Sequence, residues 1–327
     1  MKTFFKSIPI PMCGVVLAIL SLGNQIYSYN LPVLGNLFCI IGAVLMCLIL
    51  AKIIFVFEHT RHDLKNPVIA STAPTFSMGF MVLCTIFLRW FPELTFIKYL
   101  WLFAIVVQFA LIIYFTYYFL IASEVTMEHV YPSWFVVYCG IGIVPITCAN
   151  FYTEVGRVLF WFALLFYFIL LPVVIYRVFV HRKFEEHTTP LITILAAPGS
   201  LCLAGYLSGA FPHPHIVLVT LLVVIAQFLY FLIVCRLPKM LKGNFYPSYA
   251  AFTFPMVICA VALSKAANFY AIHAPSFAWL QYLAMAETVL ATIIVVYVLV
   301  KYIHFIIKAN ITKQTPKTDA NDAIDEE

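Results

Sequence analysis

Pro247–Tyr270 reads PSYAAFTFPMVICAVALSKAANFY, and the run after it, Phe277–Ile307, reads FAWLQYLAMAETVLATIIVVYVLVKYIHFII. Each is long enough, as a helix, to cross a hydrocarbon core of about 30 Å. The two differ in kind. The first carries two prolines and many small residues, whereas the second has no Gly or Pro and is mostly Leu, Ile, Val, Tyr and Phe. A backbone in lipid must satisfy its own hydrogen bonds, so both are read as helices rather than strands.

The same alternation runs back through the chain. Apolar stretches of spanning length fall at about Ile8–Tyr29, Val33–Phe57, Ala73–Trp90, Phe96–Ala122, Pro132–Asn150, Val158–Val180, Leu191–Ala210 and Ile216–Cys235, giving ten with the two quoted. Pro9 and Pro11, Pro74, Pro132 and Pro145, Pro198, and Pro247 and Pro255 all sit in odd-numbered stretches; the fourth, eighth and tenth contain neither Gly nor Pro. A repeat of one hairpin is the simplest reading. It predicts an all-α integral membrane protein: ten transmembrane helices as five helical hairpins around a central pore. Odd helices would pack closely about the axis and bulky even helices would face lipid. The competing reading is ten ordinary membrane helices whose proline kinks share no axis.

Composition agrees with lipid as the solvent. Of 327 residues 64% are hydrophobic and 10% charged, with mean hydropathy +1.01, against about a quarter charged in soluble domains. The formal charge of +5 does not point to nucleic acid, because the basic residues form no stripe. The nine cysteines lie in or beside apolar runs without a C-x-x-C pair, so they read as reduced apolar fillers. Lys2 and Lys6 ahead of an apolar run imitate a signal peptide, but the run is of spanning length and no clear cleavage site follows.

Lys and Arg set the expected orientation. With the N-terminus cytoplasmic, only Arg89, Lys98, Arg157 and Lys265 of the basic residues fall outside. Both termini are then cytoplasmic in a multi-pass protein of the plasma membrane. The expected division is a transmembrane channel or transporter domain over 1–309 and a disordered polar cytoplasmic tail over 310–327.

Small and hydroxyl residues recur along the odd helices: Gly14, Ala18 and Ser21; Ser77; Gly140, Gly142 and Thr147; Gly199, Gly205 and Ser208; Thr253, Ala260 and Ser264. Hydroxyls and kink-freed amides can solvate an anion weakly enough to let it leave. Close helix packing explains the same residues equally well. Charges inside the apolar runs are few; Lys265, near the outer end of the ninth, and Glu287, inside the tenth, are singled out, because intramembrane ionisable residues are functional candidates by default. Lys265 could instead snorkel to the outer surface, and Glu287 could be protonated or sit at a subunit contact. A mutual approach of the two across the last hairpin is a further expectation. His59 and His62, and His213 with His215, lack a third ligand and read as solvated loop residues. No nucleotide-binding loop or hydrolase motif is present, no cofactor is expected, and a membrane enzyme would need clustered His, Asp or Glu that are missing.

The segment Tyr246–Met256 (YPSYAAFTFPM), together with Leu195–Ser208 (LAAPGSLCLAGYLS), Asn66–Val68 (NPV) and Tyr131–Ser133 (YPS), resembles the tellurite-resistance/dicarboxylate transporter family in order and spacing. That family includes bacterial tellurite-resistance proteins, yeast malate permeases, fungal sulfite exporters and plant slow anion channels. The resemblance covers roughly Phe5 to Lys308. It implies ten helices as five hairpins about a pore, a homotrimer with one pore per subunit, and a phenylalanine of the ninth helix that occludes the pore. The matching residue is Phe254, just before Pro255. The regulatory tails of the plant channels are absent and the first helix departs from the fungal pattern, so substrate choice and regulation do not carry over. Small inorganic or carboxylate anions are the expected cargo. A proton-coupled C4-dicarboxylate (malate) carrier, or a sulfite or tellurite exporter, is the alternative on the same fold. Arg61, Lys65, Arg182, Lys183, Lys239 and Lys242 are the basic residues expected at the cytoplasmic mouth.

Overall fold

The computed structural model describes residues 2–312, and all regular structure among them is helical. Eight helices are long and apolar enough to cross a membrane. They are α2 (Pro32–Phe55), α3 (Pro67–Trp90), α4 (Ile97–Ile121), α6 (Thr153–His181), α7 (Glu186–Tyr206), α8 (Ile216–Val234), α9 (Pro247–His273) and α10 (Pro275–Ile311). Two shorter apolar helices complete the series, α1 (Met12–Ser28) and α5 (Trp134–Asn150). Their order matches the ten apolar stretches. The last helix continues to Thr312, past the expected start of the polar tail at 310; the rest of that tail lies outside the described residues.

Consecutive helices pack as antiparallel pairs: α1 with α2, α3 with α4, α5 with α6, α7 with α8, α9 with α10. The odd helices also touch one another in a closed ring, α1–α3–α5–α7–α9–α1. Burial follows the same division. The apolar windows of α3, α7 and α9 are 72–89% buried, while those of α2, α4, α6, α8 and α10 are 28–39% buried. Exposed bulky side chains such as Ile40, Phe103, Trp161, Phe228 and Ile293 stand on even helices. In water this outer layer would be an unsolvated apolar surface far larger than a soluble monomer tolerates; in a bilayer it is the lipid face.

Local chemistry explains how the hairpins close. Asn30, at φ 59°, makes the tight turn between α1 and α2, a left-handed position that Asn tolerates better than most residues. Pro32 then opens α2 in its first turn, where its missing N–H costs nothing. Gly23 and Gly35 let the two backbones meet: a Cβ on Gly23 would lie 2.8 Å from the Gly35 carbonyl oxygen, and one on Gly35 2.7 Å from the Tyr27 nitrogen. The Asn66-Pro67-Val68 motif is the cap of α3, with the Asn66 side chain accepting from the N–H of Val68 and Ile69 at 2.9 and 3.2 Å. In Tyr131-Pro132-Ser133, the Ser133 hydroxyl meets that of Ser71 at 2.7 Å, pinning the start of α5 to α3.

Candidate functional site

The ring helices are not continuous α-helices with an interior kink. Each changes geometry part-way. In α3, Pro67–Thr72 ends at Ala73 and a new α-helix runs from Thr75. In α7, a 3₁₀ stretch over Glu186–Ala196 passes into the α-helix Ala197–Tyr206, and in α9 Pro247–Phe252 passes into Phe254–His273. α1 begins afresh at Met12 behind Pro9 and Pro11, and α5 is broken by a 3₁₀ turn over Gly140–Gly142. Pro198 and Pro255 therefore sit in the first turn of a helix, where a missing N–H is harmless. Pro255 therefore starts a helix rather than kinking one from within.

These breaks surround one cavity of about 590 Å³. All five ring helices line it, through Gly14 of α1, Thr75 and Met78 of α3, Cys139 and Gly140 of α5, Ala197, Pro198 and Leu201 of α7, and Ala251, Phe254 and Pro255 of α9. No residue of α4, α6 or α8 contributes. Four α-helices longer than eight residues, starting at Met12, Thr75, Ala197 and Phe254, direct their N-terminal ends at it, and none has a side-chain cap. The first amides of three of them are drawn into turn bonds, such as Gly14 N–H to the Pro11 carbonyl at 3.0 Å and Met256 N–H to the Thr253 carbonyl at 3.1 Å. What these ends offer an anion is chiefly the positive end of the helix dipole rather than free donors.

Phe254 is the first residue of the α-helical part of α9 and lines the cavity. Phe252 does not: it is fully buried and packs edge-on against Tyr249, ring centroids 5.0 Å apart. The two phenylalanines, two residues apart, therefore face different ways.

A family match settles the relationship. Residues 7–303 match the voltage-dependent anion channel family, SLAC1. The chain belongs to this family. It is also similar, at 22% identity over 218 residues, to an uncharacterized transporter of Methanocaldococcus jannaschii, a stretch covering 61% of this chain and 64% of that protein's length. The SLAC1 family is one of anion channels and transporters, and the resemblance read from the sequence is to the same group.

Within the SLAC1 fold, few of the small residues proposed as pore lining touch the cavity. Gly14, Gly140 and Pro255 do, with Phe254. Several others face neighbouring helices. Ser77 donates to Gln108 of α4 at 2.5 Å, and Thr147 accepts from Trp101 of α4 at 2.9 Å. A Cβ on Gly199 would lie 2.8 Å from the Tyr167 hydroxyl, and one on Gly205 2.8 Å from the Pro145 ring. Thr253 donates to the Ala250 carbonyl at 2.6 Å and to Gly14 of α1 at 3.3 Å. Ser208 bonds back to the Ala204 carbonyl. Ala18, Ser21 and Ala260 are buried and Ser264 half-buried, all outside the cavity lining. Packing, the bland explanation, holds for the residues whose contacts are named here.

The expected basic mouth is corrected. Arg61, Lys65, Arg182, Lys183, Lys239 and Lys242 do not line the cavity; Lys6, Lys52, His59 and His187 do, with Asp63. Lys52 is 2% exposed, and its Nζ donates to the Ile8 carbonyl at 2.6 Å and to Asp63 at 3.0 Å. Its run of neighbours, Leu-Ala-Lys-Ile-Ile, gave no sign that the side chain turns inward. His59 stands 3.8 Å from the other Asp63 oxygen, so this histidine is a mouth residue rather than a remote loop one. The tight fit of Lys183 to Glu128 (3.1 Å) clasps two loops instead.

Lys265 and Glu287 do not meet. Neither takes part in an ion pair among the described residues. Glu287 is buried with both carboxyl oxygens unpaired, on the side of α10 near Gln227 and Cys259. Lys265 lies six residues beyond Cys259 on the same helix, which turns it about 240° away at 100° per residue.

Proposed function

We propose that this chain conducts small anions passively along the axis of its inner ring, with the Phe254 ring as the occluding group. The observation that carries the reading is the cavity built from all five odd helices and reaching Phe254. Positive helix ends and Lys6 raise the local anion concentration there, whereas the Lys52 charge is paired with Asp63. An aromatic ring at the inner end of an apolar constriction blocks passage sterically and dewets the path, where an anion cannot shed its hydration cheaply. No energy source beyond the gradient is required: an interior-negative membrane favours anion exit by about 2.3 kcal/mol per charge per 100 mV.

In this reading all ten helices cross the bilayer, both termini are cytoplasmic, the membrane is the plasma membrane, and the resemblance supplies a homotrimer with one pore per subunit. The proton-coupled dicarboxylate reading gains no support from Glu287, which does not line the cavity. The test is reconstitution into liposomes with reversal potentials measured across a panel of chloride, nitrate, sulfite and malate. A chain that passes none of them, wild type or with Phe254→Ala, is not an anion pore.

A further inference from the structure

A second cavity, of about 660 Å³, opens at the end of the ring away from the termini, beside Asn24 of α1, Thr85, Leu88 and Arg89 of α3, and Asn150 of α5. Arg89 is half-buried there with no carboxylate: its Nη1 donates to Asn24 at 2.9 Å, its Nη2 to Asn36 at 3.3 Å and to Cys39 at 3.5 Å, and its face lies 4.1 Å from the Tyr27 ring centroid. A guanidinium has five N–H groups. Those bonds use three, and the Nε–H is buried without a partner. Every group that holds the cation is neutral, so no carboxylate compensates its charge.

Helix geometry puts two more donors at the same level, outside the lining of this cavity. Arg89 is eleven residues after Met78 in one unbroken helix, Lys265 eleven after Phe254, and Gln25 eleven after Gly14. Eleven residues are three turns plus about 20°, a rise of about 16 Å. Met78, Phe254 and Gly14 line the inner cavity. Arg89, Lys265 and Gln25 therefore continue the same three stripes toward the far end, on helices adjacent in the ring. Lys265 forms no ion pair among the described residues, and the Gln25 Nε2 is buried without an acceptor.

We propose that Arg89, with Lys265 and Gln25, forms a second anion site at this end, taking a small inorganic anion as it enters or leaves the ring. The proposal rests on the pore reading for its role in transport but not for its binding. The fork of Arg89 and its Asn24 and Asn36 bonds hold the charge in place, so the site is preorganised for an anion.

The experiment uses the full chain in planar bilayers, chloride varied separately on each face, the termini face assigned by protease access to a C-terminal tag. Phe254→Ala serves as the conducting background. Arg89→Gln, Lys265→Gln and Asn150→Asp should each raise the half-saturating chloride at the far face by about three- to tenfold, leaving the termini face unchanged. Asn150 is exposed and its side chain makes no hydrogen bond among the described residues, so its variant stays informative if Arg89→Gln misfolds. Unchanged half-saturation in Arg89→Gln and Asn150→Asp overturns the site while a conducting Phe254→Ala leaves the pore reading standing. If no variant conducts, chloride-dependent thermal stabilisation in detergent decides: the site requires it to be weaker in Asn150→Asp than in wild type, and an equal shift overturns it.

Discussion

Phe252 packs against Tyr249 with no solvent contact, while Phe254, two residues on, faces the cavity at 7% exposure. The two truncations should therefore separate. Phe252→Ala leaves a hole in a packed region and should cost about 3–5 kcal/mol without opening a path. Phe254→Ala removes a ring that has cavity on one side, so it should cost less and raise anion flux many-fold. Thermal melts in detergent paired with liposome flux measure both; a flux increase in Phe252→Ala alone would move the gate to that residue. Phe254 was singled out in the sequence because the resemblance and the Phe-Pro pair point to one position, and it lines the cavity. The small residues were not legible, because Gly199, Gly205, Ser77 and Thr147 offer the same side chains to a pore and to a neighbouring helix. Only the partner across the contact distinguishes the two, and it lies far away in sequence. Lys52 was missed for a related reason: a lysine at a helix end usually snorkels to water, whereas here it turns inward to the Ile8 carbonyl.

At the scale of elements, each hairpin joins a broken ring helix to an outer helix, and the joint depends on close backbone approach. Gly23 and Gly35 are the clearest case, because a Cβ on either would meet backbone atoms of the other helix below 3.0 Å. Backbone cannot swing aside as a side-chain tip can. Gly23→Ala and Gly35→Ala should each destabilise by about 1–3 kcal/mol, measured as a lower melting temperature in detergent; Gly14→Ala, whose Cβ would find only ordinary contacts from 3.4 Å, is the tolerated control for packing. Between elements, the loop before α5 is clasped to the loop after α6. The Lys183 ammonium hydrogen-bonds Glu128 and, with its charge and those of His181 and Arg177, holds the Glu128 carboxyl below its usual range. A depressed carboxyl contributes stability above its ordinary value and loses it as pH falls through the lowered one. Protection of the segment around Glu128 against hydrogen exchange, taken relative to the intrinsic rate at each pH, should therefore fall on acidification below about pH 4.5, and Glu128→Gln should be weakly protected at every pH. Equal protection in the two proteins at neutral pH would remove the clasp. Hairpin boundaries were readable because Pro and Asn mark starts and turns by sterics alone. The mid-helix breaks were read as kinks, since a proline signals interruption without saying whether a new helix starts at it.

Across the whole molecule, burial and water access run opposite to a soluble protein. The inner ring is buried in protein yet surrounds a polar-mouthed cavity, and the outer layer is exposed to lipid. The five-hairpin arrangement was visible because alternation of small, proline-bearing and bulky stretches is a property of composition along the chain, and the closed ring of odd helices follows it. Which ring residues face the axis was not visible, since the 3₁₀ stretches of α7 and α9 shift the helical phase that a uniform period would assign. The inversion can be tested with one water-soluble anionic thiol reagent. Ala251 lines the cavity and is 8% exposed, while Phe228 on α8 is 66% exposed. In a soluble protein the second position would react and the first would not. If the ring surrounds an aqueous anion path, Ala251→Cys reacts from the termini side, faster in a Phe254→Ala background, because water and anions then occupy the path continuously. Phe228→Cys stays inert, because the reagent cannot enter hydrocarbon. Rates are compared with the unmodified chain, whose Cys139 also lines the cavity. Labelling of Phe228→Cys in intact membranes with Ala251→Cys protected would mean that the layers are assigned the wrong way round, and the axis would have to be sought outside the ring.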